Sequence, residues 1–140
     1  MKDTCQDILS FWFVETTPAQ WFQTSDIFDE MVRNKFLDHF LMAERGYCDE
    51  WALSADGALA LILTYDQFPR NMFRGRPESF ATDDKALKIS ELSIERGFDQ
   101  IFNPLKRRFF YLPFEHSEKI EHQYRSVELF EKMKNDDPMG

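Results

Sequence analysis

Cysteine is scarce: Cys5 and Cys48 are the two in 140 residues, and they lack CxxC spacing. That excludes a disulfide scaffold and fits reduced small hydrophobes in a cytoplasmic protein. The chain has five glycines, and Gly75 stands alone in its turn, so no glycine-rich loop is present to cradle a phosphate. The longest apolar run, Ala58 to Leu63, falls far short of the roughly 20 residues a membrane helix needs. The N-terminus mixes charges and leads into no signal-peptide core. Positive charge is also short. Seventeen Lys and Arg against 25 Asp and Glu leave a net charge of −8, which argues against a general nucleic-acid or acidic-membrane binder.

Valine is nearly missing, with Val14, Val32 and Val127 alone, while aromatics are abundant: 15 Phe, 3 Trp and 4 Tyr. So few β-branched residues beside so few glycines and prolines lean towards helix. The length suits one domain. Residues 1–135 are expected to form a single all-helical domain, with 136–140 a tail or a cut linker.

Punctuation divides the chain into about six helices. A short apolar start, Asp7 to Val14, closes at Thr16-Thr17-Pro18. Ser25 caps a helix from Asp26 to about Arg45, with Gly46 at C′. Phe28, Val32, Phe36 and Phe40 make its apolar stripe, widened by Met31, Leu37 and Leu41. Ser54 caps Ala55 to Phe68, which Pro69 stops, and Thr82 caps Asp83 to Arg96, which Gly97 ends. Pro104 opens a fifth helix, limited near Leu112 by Pro113, and Ser117 opens a sixth that runs to about Asn135. The fold class is all-α, built of antiparallel hairpins. A spacing of roughly 40 residues between hairpins suits helical repeats, although no repeat consensus is legible.

Polar residues on apolar faces mark the candidate site. Asp66 follows Leu59, Ile62 and Leu63 by seven, four and three positions, so it points inward and needs a cation or several donors. Asp83 shares a face with Leu87, Ser90 and Ile94. In the last helix Ile120, Tyr124 and Val127 form the stripe, with Gln123 inside it and His116 one turn earlier; His122 and Glu118 are expected to point away. Arg70, Arg74 and Arg76 share a loop without an acid, and arginine forks match carboxylates or phosphates. Lys106-Arg107-Arg108 reads as a solvated face opposite Leu105, Phe109 and Leu112.

Phe11-Trp12-Phe13, Trp21-Phe22, Asp66-Gln67-Phe68-Pro69-Arg70-Asn71, Phe73-Arg74-Gly75, Phe80-Ala81-Thr82-Asp83 and Tyr111-Leu112-Pro113-Phe114-Glu115-His116-Ser117-Glu118 resemble the bacterial domain of unknown function 924 family. The resemblance implies an all-helical, tetratricopeptide-like fold with no established activity. Its polar motif positions are Asp66, Gln67, Arg70, Asn71, Arg74, Asp83, His116, Ser117 and Glu118. It further implies a segment rich in Arg, His and Asn beyond Gly140, so the chain is expected to be a fragment or a shortened member, with a groove open where that segment packs.

No cofactor is expected. A metal on His116, His122, Glu115 and Glu118 is disfavoured because the two histidines are read as facing apart, and a Cys48–His116 nucleophile has nothing to bring it together. Three readings stand. The first is a binding module whose arginine-lined groove holds a small anionic molecule or an acidic peptide end. The second is a hydrolase-like enzyme with His116 as general acid or base, oriented by Asp66 or Asp83, and with Arg70 and Arg74 stabilising negative charge. The third is a purely structural polar network in a protein-interaction module.

Overall fold

A computed structural model describes residues 3–136. No strand occurs among them, and no helix is long and apolar enough to cross a membrane. Helix α1 (Cys5–Ser10) widens into a π-helical turn, Phe11–Glu15, and Pro18 opens the short α2 (Pro18–Phe22). Helix α3 (Asp26–Glu44) follows, then α4 (Ala55–Ile62), a second π-helical turn (Leu63–Gln67) and α5 (Phe68–Met72) as one continuous rod. The chain closes with α6 (Asp83–Glu95), α7 (Pro104–His116) and α8 (Ile120–Asp136).

The α4–α5 rod is the hub. Every residue from Gly57 to Pro69 is buried, because α1, α3, α6 and α7 surround it. A helix apolar all round has to be enclosed in this way. Gly57 makes the approach possible: a Cβ there would sit 2.1 Å from the Trp51 carbonyl oxygen. The Ser25, Ser54 and Asn103 side chains cap α3, α4 and α7 as their sequence positions predict. Gly46 and Gly97 take the positive φ of the C′ position.

Several expectations are corrected. Pro69 does not stop its helix, and the rod continues to Met72. Proline removes the N–H that would donate to the Tyr65 carbonyl. The Thr82 hydroxyl supplies that hydrogen instead, at 2.7 Å, so Thr82 begins α6 without capping it by side chain. Pro113 likewise lies inside α7, which runs on to His116. Ser117 therefore ends α7, and α8 begins at Ile120.

Two faces differ as well. Met31 and Leu41 are exposed, so the buried face of α3 is Phe28, Val32, Phe36, His39, Phe40 and Ala43, with Leu37 half-buried. On α8, Ile120, Tyr124 and Val127 are exposed, while Ser126, Leu129 and Met133 are buried. The helix is rotated because Phe130 packs edge-on against Tyr111 and His122 edge-on against Phe114, both on α7. Arg107 is buried too: its guanidinium donates to the Phe102 carbonyl, and its stem takes part in the core side of α7.

His39 is buried and has a defined tautomer. Thr64 Oγ1 donates to the Ala60 carbonyl at 2.8 Å and so accepts from His39 Nε2 at 2.9 Å. His39 stacks on Trp51, and burial holds its pKa below the ordinary imidazole value, weakly opposed by Asp3. Between that lowered value and about 6.5, the unfolded chain binds more protons than the folded one, so stability rises with pH across this window. Urea midpoints should therefore fall from pH 7.5 to pH 5, and less steeply in a His39→Gln variant. Equal slopes in both proteins would remove His39 as the source.

Candidate functional site

Asp66 is the centre of the site. It is fully buried within the second π-helical turn, where the rod's wider winding aims it between α6 and α7. Its Oδ1 accepts from His116 Nδ1 at 2.8 Å and from Arg70 Nη1 at 3.3 Å, and its Oδ2 accepts from Gln67 Nε2 at 2.9 Å. Its carbonyl also accepts from Arg70 Nη1, at 2.6 Å. Arg70 then forks onto Asp83, with Nη1 to Oδ1 at 2.8 Å and Nη2 to Oδ2 at 2.9 Å. Burial opposes the charge of Arg70, but Asp83 and Asp66 outweigh it and raise its pKa further.

His116 reaches Asp66 because α7 continues one turn past Pro113 and ends there. An ionised carboxylate only accepts, so the His116 Nδ1 carries the hydrogen and Nε2 keeps its lone pair when the ring is neutral. His116 and Arg70 thus meet on one oxygen, although they are 46 positions apart in sequence.

Arg74 joins a different acid. Its Nε and Nη2 donate to Asp29 of α3 at 2.6 and 3.0 Å, and Asn71 Nδ2 donates to the same carboxylate at 2.9 Å. Burial works against the Asp29 carboxylate, and the hydrogen bonds from Arg74 and Asn71 outweigh it, holding its pKa below the usual range. Asp29 has no marker in the sequence beyond its place one residue after Phe28, in the first turn of α3.

Two cavities meet at this network. One, of about 330 Å³, has Gln67, Arg70, Asn71, Arg74 and His116 in its wall, with Trp21, Phe22 and Leu112 as its apolar part and Glu115 beside them. The other, of about 1060 Å³, is lined by Arg70, Asp83, His116, Ser117, Glu118 and His122 among others. Arg70 and His116 belong to both walls. Eight of the nine polar positions marked in the sequence therefore line one cavity or the other and share that pair, while Asp66 is fully buried and lines neither.

His122 was expected to point away and does not. Ser117 Oγ lies 2.7 Å from His122 Nδ1, and Gln123 Nε2 donates to the Glu115 carbonyl at 2.7 Å and to the Ser117 carbonyl. The buried series Ser126, Leu129, Met133 places His122 one turn earlier on the same side, a series that in the sequence competes with Ile120, Tyr124 and Val127. Among the described residues, no group of three or more His, Cys, Asp or Glu side chains is arranged to hold a metal.

Comparison with known proteins agrees with the motifs. The model of a family described as bacterial protein of unknown function (DUF924) matches residues 8–140. The chain belongs to this family. A solved structure of a protein of unknown function from Agrobacterium tumefaciens is similar, with a TM-score of 0.88 and 40% sequence identity. The match covers 92% of this chain and 73% of that one, so the DUF924 fold described above is shared closely with that relative. No curated protein sequence matches the chain.

Proposed function

We propose that His116, oriented by Asp66, is the general base of a hydrolytic site for a small uncharged or cationic substrate held in the cavity of about 330 Å³. The observation that carries this reading is the 2.8 Å hydrogen bond from His116 Nδ1 to a fully buried carboxylate. Such a partner fixes the tautomer and steadies the imidazolium formed when Nε2 takes a proton from water. Trp21, Phe22 and Leu112 offer contact for the body of a substrate.

Charge separates this reading from anion capture. Arg70 is occupied by Asp83 and Asp66, and Arg74 by Asp29, so an anion would have to compete with carboxylates already in place. Glu115 adds a further negative group to the wall. The arginines in this reading position acids rather than receive a ligand.

The test is hydrolysis of a small panel of uncharged p-nitrophenyl esters, carbonates and anilides, followed in wild type and His116→Gln. General-base catalysis is worth about 10²–10⁴-fold, so the variant should lose at least 100-fold. Turnover that His116→Gln leaves unchanged would remove His116 as the base. A shift of the His116 ring resonances on titration with millimolar phosphate, without hydrolysis, would favour the anion-binding reading instead.

A further inference from the structure

We propose that Ser117 and His122 form a second reactive pair, a nucleophile and its base, opening on the cavity of about 1060 Å³ and taking up an acyl group from a small ester or thioester. This goes beyond the His116 reading and does not rest on it, because Ser117 has its own base.

The hydrogen bonds around Ser117 are compatible with its hydroxyl donating to His122. Ser117 Oγ already accepts from the Lys119 backbone N–H at 3.2 Å. Its own proton is then free to be donated to His122 Nδ1, 2.7 Å away, which requires the tautomer protonated at Nε2. A hydroxyl donating to an imidazole within 2.6–3.2 Å is the arrangement that activates a serine. Both partners are held in place. Gln123 ties down the Glu115 and Ser117 carbonyls, so the turn between α7 and α8 presents Oγ in one position. Phe114 backs the His122 ring edge-on, with centroids 6.0 Å apart.

The chemistry balances without another reactant. Oγ bonds to the acyl carbon while its proton passes to His122 Nδ1, and the bond to the leaving oxygen or sulfur breaks as that proton is handed on. Water then attacks the acyl-serine, gives its proton to the same nitrogen, and Oγ takes it back on release. The cavity's acids, Asp83, Asp84, Glu91 and Glu118, outnumber Arg70 and Lys119 in its wall. The donor that suits it is therefore neutral or cationic, not an acyl phosphate or a carboxylate-bearing ester.

Fluorophosphonate labelling tests the proposal, because that reagent phosphonylates activated serines. Wild-type protein should gain one adduct by intact mass, and tandem mass spectrometry should place it on Ser117. His122→Gln should slow labelling at least tenfold, and Ser117→Ala should abolish it. Mapping the adduct in the wild type keeps the test independent of how the variants fold. No adduct, or one on another residue, overturns the pair. Hydrolysis that depends on His116 with no adduct on Ser117 would leave the His116 reading standing and end this one. An adduct on Ser117 beside an inert His116 would do the reverse.

Discussion

Asp66→Ala should lower stability by about 3 kcal/mol, read as a shift in urea midpoint at constant slope. Removing one partner of a buried ionic network costs roughly 3–5 kcal/mol, because the groups left behind have lost their water as well as their acceptor. Here Arg70 keeps its fork on Asp83, which holds the cost to the lower end of that range. His116 Nδ1 and Gln67 Nε2 lose the Asp66 side-chain acceptor and supply most of it. Asp66→Asn separates shape from charge. It fills the same volume but turns an amide N–H₂ toward donors, so it should cost a similar amount and release the His116 tautomer, visible in the ring nitrogen shifts. A change within about 0.5 kcal/mol for both variants would show that the carboxylate organises nothing.

That Asp66 could be found at all depended on periodicity. Leu59, Ile62 and Leu63 define a face, and a carboxylate on it has to be satisfied inside the protein. The same reasoning located Asp83 and Ser90, and it found the α3 stripe through Phe28, Val32, Phe36 and Phe40, all of which are buried. It failed where a residue's local rule was outweighed by packing. Pro69 and Pro113 are helix breakers in isolation, yet both lie buried inside a continuous rod or helix, and at Pro69 the Thr82 hydroxyl replaces the missing N–H at the Tyr65 carbonyl. The two π-helical turns carry no composition signal, and each shifts the helical register. On α8 two apolar series compete, one through Ile120, Tyr124 and Val127 and one through Leu129 and Met133. Local spacing does not choose between them; contact of Phe130 with Tyr111 and of His122 with Phe114 does. That single rotation is why His122 and its bond to Ser117 were not legible, whereas the Asp66–Arg70–Asp83 set was.

The largest stability effect is expected at Trp12. The aromatic surplus of the N-terminal arm is gathered around this fully buried ring: it stacks on Trp21 at 5.5 Å and meets Phe28, Phe68 and Phe109 at 5.7–6.1 Å. It therefore pins the arm to α3, the α4–α5 rod and α7 at once. Its carbonyl, freed from the helical ladder by the first π-helical turn, accepts from the Thr16 hydroxyl at 2.6 Å and from Trp21 Nε1 at 3.1 Å. Trp12→Ala should cost about 3–5 kcal/mol, the range for emptying a large aromatic site in a core. Deleting residues 1–22 should go further and abolish the cooperative melting transition. Trp12→Phe supplies the sharper comparison. The indole Nε1 is buried with no hydrogen-bond partner among the described residues, and an unsatisfied buried donor costs about 1–3 kcal/mol. Replacing the indole by a phenyl ring removes that penalty while giving up part of the packing, so Trp12→Phe should lie within about 1 kcal/mol of wild type. A Trp12→Phe protein as unstable as Trp12→Ala would mean that the indole N–H has a partner after all, and that the clamp depends on a polar contact as well as on ring packing.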